Sequence, residues 1–172
     1  MEIIQLEDTK IAVINEVKFK NKQKIPWNDV EEYLKQFIGD SYIVEKTKEE
    51  ILIGRDLPDE YHASRYTQTL KGGIAKAKAN AATVLQEMLL IADHCRFCDN
   101  FDVKHEKTAY HGWLRYDTYF ALPVVDDKER YQYHNIFRGT LVVRLDQNGK
   151  KYLYDLINIK KEASKPLGQC VR

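Results

Sequence analysis

The sequence predicts an α+β domain, and three observations lead to that prediction. Apolar residues recur at helical spacing from about Ile74 to Ala92, which indicates a long central helix. Three stretches that alternate apolar and polar residues follow it, at 113–125, 135–145 and 151–161. Asn148-Gly149, a pair typical of tight hairpins, separates the last two stretches. We therefore expect the helix to pack on one face of a C-terminal antiparallel β-meander that spans residues 113 to 161.

The first 55 residues predict a strand, a helix and a hairpin. Residues 10–19 alternate as a half-buried strand does, and a helical pattern opens at Pro26 and ends at Gly39. Residues 41–54 predict two short strands around a polar turn, and residues 55–73 a polar connection. We expect one α+β domain over 1–172, with an N-terminal part in 1–55 and the helix plus sheet in 64–165.

Composition limits the classes of function. The chain has 172 residues, 44% of them hydrophobic and 31% charged, with a formal net charge of +1. A general nucleic-acid binder is usually strongly basic, so contact with nucleic acid here requires a local patch. The sequence shows neither an apolar run long enough for a bilayer nor a signal-peptide pattern, and we expect a cytoplasmic protein without a membrane partner.

One face of the predicted meander is polar and combines cations with aromatic rings. A solvated surface explains such a face equally well, but rings interleaved with cations also suit stacked bases and phosphates. The side chains on this face are Arg115, Asp117, Tyr119, Arg138, Thr140, Arg144, Tyr152, Tyr154, Asn158 and Lys160.

Residues 104–115 place imidazoles and cations at the start of the first of these strands. Metal-independent RNA cleavage needs a base, an acid and a cation that stabilises the phosphorane, and histidine suits the two proton transfers. We expect a catalytic set made of His105, His111, Arg115 and Lys160. The expected substrate-binding residues are Arg65, Lys104, Arg138, Tyr154 and Asn158.

A zinc site is the competing interpretation of the same region. Cys95 and Cys98 form a C-x-x-C pair, and His105 and His111 follow it. The gap from Cys98 to His105 is shorter than in zinc fingers, and Cys95 is predicted at a helix end where a thiol would be buried. We therefore expect no metal and no cofactor.

Asp155 shares strand parity with Leu153, Ile157 and Ile159, so a regular strand would bury it. A buried carboxylate needs a partner, either Arg65 or a histidine that it orients. A bulge that turns Asp155 outward is the alternative.

Four collinear stretches resemble a family of domains from Firmicute phages and conjugative elements, which are attached to large polyvalent proteins and phage head-associated toxins. The stretches are "VKFKNKQKIPW" (17–27), "SRYTQTLKGGIAKAKANAA" (64–82), "KH…HGWLRYDTYFALPV" (104–124) and "KKYLYDLINIKKEASKPL" (150–167).

The resemblance implies a fold similar to the barnase, EndoU, colicin and RelE group of metal-independent ribonucleases, with the site on the open face of the sheet. Positions that match the family blocks are Lys104, His105, Arg115, Tyr154, Asp155, Asn158 and Lys160. His111 stands where relatives are expected to have a tyrosine, and the "CRFC" segment lies outside the family pattern.

The resemblance also implies a mobile-element counter-defence protein in the host bacterial cell, such as an anti-CRISPR protein. Its expected partner is RNA held in a protein complex, for example the guide RNA of Cas9, which it cleaves or binds. The alternative is a non-enzymatic module that occludes a protein partner such as Cas9.

Overall fold

A computed structural model describes residues 2–21, 23–99 and 109–167. In these residues the strands are β1 (Ile3–Leu6), β2 (Thr9–Val13), β3 (Ser41–Ile43), β4 (Glu50–Leu52), β5 (Asp93–Cys98), β6 (Gly112–Val125), β7 (Tyr131–Leu145) and β8 (Lys151–Lys165). The helices are α1 (Trp27–Lys35), α2 (Asp56–Ala63), α3 (Arg65–Thr69), α4 (Gly72–Ala81) and α5 (Leu85–Leu90), with a 3₁₀ turn at Ala82–Val84.

The three long strands β6, β7 and β8 pair antiparallel, as their alternating sequences predict. The Asn148-Gly149 turn joins β7 to β8, with Gly149 at a positive φ of 77° that an L side chain adopts at a cost. The predicted α+β class and this hairpin are confirmed.

The sheet is larger than a meander, and its strand order is β1-β2-β6-β7-β8-β4-β3, with β5 on the edge of β6. Two of its pairings are parallel, β2 with β6 and β4 with β8. The N-terminal hairpins therefore extend the sheet on both sides, and the sheet is mixed.

The main core lies between the helices and one face of the meander. Tyr116, Phe120 and Leu141 from the sheet are fully buried there with Met88 and Leu89 of α5. The Thr118 hydroxyl, also on this face, donates to the Met88 carbonyl at 2.9 Å. The helices thus cover the face that the sequence predicts as apolar.

The predicted single helix from Ile74 to Ala92 is wrong in one respect, because the 3₁₀ turn at Ala82–Val84 divides it. The Thr83 hydroxyl donates to the Asn80 carbonyl at 2.7 Å, and Val84 leaves helical backbone geometry at φ −129° and ψ 32°. The Thr83 hydroxyl competes for a helix carbonyl, and Val84 is β-branched, and both features weaken the helical backbone hydrogen bonds at this point.

No helix among the described residues is long and apolar enough to cross a membrane.

The segment 55–73 is not the polar connection that its composition predicts, because it forms α2, α3 and the start of α4. Leu57 and Tyr61 of α2 are fully buried, which ties this polar segment to the core. Ser64 caps α3 by accepting from the Thr67 amide at 3.1 Å.

The strand predicted for residues 10–19 ends earlier than expected, at Val13.

Candidate nucleic-acid interface

The outer face of the meander carries a group of cations around one carboxylate, which we name the arginine cluster: Arg96, Arg115, Arg138 and Lys160 around Asp117. Asp117 is nearly buried, with 8% of its side chain exposed. Its two oxygens accept from Arg96 and Arg138, each at 2.9 Å. A single carboxylate therefore orients two guanidinium groups, each of which is about half exposed at 45% and 47%.

Strand register accounts for this arrangement. Arg96 of β5 lies directly opposite Arg115 of β6, and Arg138 of β7 lies between Tyr119 of β6 and Lys160 of β8. Paired residues in a sheet share a face, so four neighbouring strands bring cations to one surface. The hydrogen bond from Arg138 to Asp117 is the chief cause of the raised pKa of Arg138. The negative charge of Glu162 raises that pKa a little further.

Arg115 and Lys160 add charge that no described residue neutralises. The Arg115 Nε is buried and has no hydrogen-bond partner within 2–21, 23–99 and 109–167. Lys160 is exposed and forms no ion pair with any residue in those ranges. Among the described residues, the centre of the outer face therefore has excess positive charge, and the exposed Lys160 ammonium presents N–H donors there.

The two ends of the outer face are occupied by packing. At one end Ile11, Val13, Ala121, Ile136 and Leu167 form a small apolar cluster against which Tyr119 packs. The predicted open face is thus open only in its central part.

At the other end the predicted binding residue Tyr154 packs edge-on against Trp113, with ring centroids 5.0 Å apart. Burial raises the pKa of the Tyr154 hydroxyl, and Glu60 of α2 adds to the rise. Arg144 nearby pairs with Asp56 at 2.7 Å and lies over the Tyr152 ring at 4.1 Å. Contacts to α2 therefore engage the polar side chains at this end.

His111 lies apart from the arginine cluster. It is exposed just before β6, and its Nε2 lies 3.1 Å from the Gln147 carbonyl oxygen in the β7–β8 turn. Lys160 lies in register with Tyr119, through Arg138 between them. Tyr119 is eight residues after His111, a separation of about 26 Å along the strand at ordinary strand rise. One phosphate cannot contact both His111 and Lys160.

The other expected site residues are dispersed. Lys104 and His105 lie outside the described residues. Arg65 is exposed at the start of α3, and its side chain has no hydrogen bond or ion pair to another described residue. Asn158 is exposed with φ 53°, at the position where the pairing of β7 with β8 shifts register. The structure brings Arg115, Arg138 and Lys160 to one surface, and the Arg65 side chain makes no hydrogen bond or ion pair with any of them.

The predicted partner of Asp155 is wrong. Asp155 is buried, and its carboxylate accepts from Lys78 of α4 at 2.6 Å instead of from Arg65 or a histidine. Lys78 is fully buried and also donates to the Thr67 hydroxyl at 2.6 Å. The bulge that would turn Asp155 outward is wrong as well, because the register shift next to Asp155 leaves it inside.

The cysteine pair lies in β5 and not at a helix end. Cys95 is exposed and Cys98 half-buried, so the predicted buried thiol at Cys95 is wrong. Among the described residues neither cysteine belongs to a group of three or more metal-ligating side chains, and the zinc interpretation also requires His105.

Sequence reasoning missed three residues that the structure makes prominent. Arg96 lies in a segment that the sequence predicts as the end of a helix, although a polar residue followed by the apolar Phe97 is also compatible with an edge strand. Asp117 is predicted on the polar face, but the sequence pattern gives it no role. His134 is nearly buried beside a groove of about 1580 Å³, and its Nδ1 lies 2.8 Å from the Tyr131 hydroxyl.

The chain was compared with family models, curated proteins and solved structures, and none of the three comparisons finds a match.

Proposed function

We propose that the chain is a counter-defence protein of a mobile genetic element that binds RNA on the arginine cluster. The RNA is held in a protein complex, for example the guide RNA of a CRISPR effector such as Cas9. The fold of the chain is that of a ribonuclease-like protein, and any RNA cleavage on it needs no metal ion.

The observation that carries the proposal is the exposed, pre-oriented pair Arg96 and Arg138 on Asp117. A guanidinium has five N–H donors, and Arg138 uses one nitrogen on Asp117. The remaining donors are available to phosphate oxygens, and arginine suits the fork geometry of phosphate. Because Asp117 fixes both side chains before binding, less conformational entropy is lost when RNA binds.

Lys160 and Tyr119 extend this surface in the way that single-stranded RNA requires. Lys160 provides a further phosphate contact beside Arg138. The half-buried Tyr119, which packs against the apolar cluster at that end of the face, is the strand neighbour of Arg138 and leaves the rest of its ring for a base. Cations that follow the backbone together with an aromatic ring for a base are typical of single-strand binding. The near-neutral whole chain favours an RNA that a partner already presents.

Cleavage is the enzymatic form of the proposal, with His105 as general base or acid and Arg115 of β6 as the cation that stabilises the phosphorane. His111 is the second candidate acid. It precedes β6 and stands four residues before Arg115, about 13 Å at ordinary strand rise. Lys160 and Arg138 then hold a different phosphate of the same strand.

Occlusion of a protein partner is the second candidate, and exposed aromatic residues favour it. Phe97 and Tyr110 are more than half exposed, at 55% and 58%. The Phe97 ring lies beside Gly112, where a Cβ would come within 3.0 Å of it, and Tyr110 packs edge-on against His111. Exposed aromatic rings beside arginine are typical of protein interfaces.

A denaturing gel separates the two forms. Cas9 loaded with labelled guide RNA is incubated with the protein, and both RNA length and DNA cleavage by Cas9 are measured. Shortened RNA supports the enzyme, and lost DNA cleavage with intact RNA supports occlusion.

The variant that tests the enzymatic form is the His105→Ala, His111→Ala double variant, compared with the wild type. If the enzymatic form is correct, RNA cleavage falls by about 10²-fold or more, the usual contribution of a general acid–base group, and chelator has no effect. Intact RNA together with full Cas9 activity would contradict both forms for this effector.

A further inference from the structure

His94 of β5 lies beside the arginine cluster. Its Nδ1 is 3.5 Å from Oδ2 of Asp117, and the same oxygen accepts from Arg138 at 2.9 Å. Arg96, two residues after His94, donates to the other Asp117 oxygen at 2.9 Å and to the His94 carbonyl at 2.8 Å. One nearly buried carboxylate therefore groups an imidazole with two guanidinium groups.

The backbone of β5 is distorted at His94. Its φ of 54° is in the left-handed region, which residues other than glycine rarely adopt. The pairing of β5 with β6 shifts register between Asp93 and Arg96, and the Asp93 carboxylate accepts from the His94 amide at 2.8 Å. Bulges redirect side chains and are common next to functional sites, where strained backbone is also concentrated. The bulge thus places the His94 ring next to Asp117 in a conformation that the chain adopts at a cost.

The imidazole of His94 is accessible, with 73% of the side chain exposed. An ionised carboxylate only accepts hydrogen bonds, so Asp117 favours the tautomer with the hydrogen on Nδ1 and the lone pair on Nε2. The distance of 3.5 Å is longer than an ordinary hydrogen bond, as catalytic contacts often are before substrate binds. Nε2 has no hydrogen-bond partner among the described residues, so it can contact a nucleotide bound by the arginines of the cluster.

We propose that His94 is the general base of RNA cleavage at the arginine cluster, an inference that rests on the proposed function in its enzymatic form. Nε2 takes the proton of a ribose 2′-hydroxyl, and the 2′-oxygen forms a bond to the adjacent phosphorus. The bond from phosphorus to the 5′-oxygen breaks, and that oxygen takes up a proton from a second imidazole, the acid of the proposed function. The products are a 2′,3′-cyclic phosphate and a 5′-hydroxyl. Arg96, with Arg115 directly opposite it, stabilises the charge on the phosphoryl oxygens, and Arg138 holds a neighbouring phosphate.

Cleavage and binding are measured separately on the full chain. A denaturing gel follows labelled guide RNA held by Cas9, and fluorescence anisotropy follows a labelled single-stranded RNA. In His94→Asn, cleavage should fall by about 10²-fold or more while RNA affinity stays that of the wild type. Asparagine tolerates the left-handed backbone but transfers no proton at neutral pH, so the loss reports on the chemistry. His62→Asn, which changes an imidazole on α2 whose Nδ1 lies 2.8 Å from the Pro58 carbonyl, is the matched control and should cleave as the wild type does.

His94→Gly adds a rescue experiment, because glycine adopts the left-handed backbone freely and leaves room for a small base. Added imidazole should restore part of the cleavage that His94→Gly loses, and circular dichroism checks that both His94 variants fold. Wild-type cleavage by folded His94→Asn would overturn the inference and leave the proposed function standing. RNA that the wild type binds but does not cleave would also overturn it, whereas no RNA binding by the wild type would contradict the proposed function itself.

Discussion

The buried ion pair of Lys78 and Asp155 ties α4 to β8. Lys78 also lies over two aromatic rings, with its Nζ 4.7 Å from the Tyr61 centroid and 5.1 Å from that of Tyr66. Burial lowers the pKa of Lys78 and raises that of Asp155, and the charge of each partner opposes the shift of the other. Each ion is therefore tolerated in the core only because the other is present.

Lys78→Met should destabilise the protein by about 3–5 kcal/mol, because it leaves Asp155 buried without a counterion. The Lys78→Met, Asp155→Leu double variant should recover most of that loss, since neither charge remains. Urea unfolding followed by circular dichroism measures both. A loss below about 1 kcal/mol in the single variant would show that water or rearrangement compensates the carboxylate.

His134 makes stability depend on pH. Burial lowers its pKa below the ordinary value of 6.5. The Nδ1 of His134 lies 2.8 Å from the Tyr131 hydroxyl, which also accepts from the Leu167 amide at 2.8 Å. As pH falls through about 6.5 the unfolded chain takes up a proton before the folded chain does, so stability decreases on acidification.

The free energy of unfolding of the wild type should therefore fall between about pH 7.5 and 5, and more steeply than that of His134→Gln. The exposed His111 provides the control, because His111→Gln should keep the wild-type slope. Urea titrations at several pH values give the slopes. Parallel curves for the wild type and His134→Gln would exclude His134 as the cause.

The helix α5 illustrates how much an element depends on one buried side chain. Met88 is fully buried against the sheet, whereas Gln86 on the same helix is exposed. Met88→Ala should cost about 2–5 kcal/mol, and Gln86→Ala about 0.5 kcal/mol or less. Thermal unfolding compares the two, and equal small losses would mean that α5 is not part of the cooperative core.

Sequence patterns predicted those elements whose signals are local. The alternation in β6, β7 and β8 and the Asn148-Gly149 turn are contained in consecutive residues, so both the strands and their antiparallel pairing followed. The segment 55–73 failed for the opposite reason. Its helices α2 and α3 are polar in composition and depend on tertiary contacts such as the buried Tyr61, which donates to the Lys78 carbonyl.

The candidate site was predicted only in part, because its geometry is set by long-range pairing. Alternation placed Arg115, Arg138 and Lys160 on one face, but the addition of Arg96 depends on the β5–β6 pairing. The partnership of Lys78 with Asp155 joins residues 77 positions apart, and a lysine in an Ala-rich helix gives no local signal that it is buried. The local sequence likewise gives no signal for the parallel pairing of β2 with β6 or of β4 with β8.

The molecule as a whole is nearly neutral but carries a local group of cations. Its net charge is +1, and yet the arginine cluster groups three arginines and a lysine around Asp117. Such a patch attracts a polyanion locally without making the whole chain a general nucleic-acid binder. The RNA-binding proposal thus predicts a salt dependence that originates in named residues.

Fluorescence anisotropy of a labelled single-stranded RNA, measured over a series of salt concentrations, tests the central claim most directly. Each lost phosphate contact on a single strand reduces the slope of log K against log salt by about 0.7. The Arg138→Gln, Lys160→Ala double variant should therefore have a slope shallower by about 1.4 and weaker binding. Arg130→Ala with Lys128→Ala, which removes the same charge from the exposed β6–β7 turn, should match the wild type. Equal slopes for the wild type and the cluster variant, or an equal reduction in the turn variant, would contradict the account.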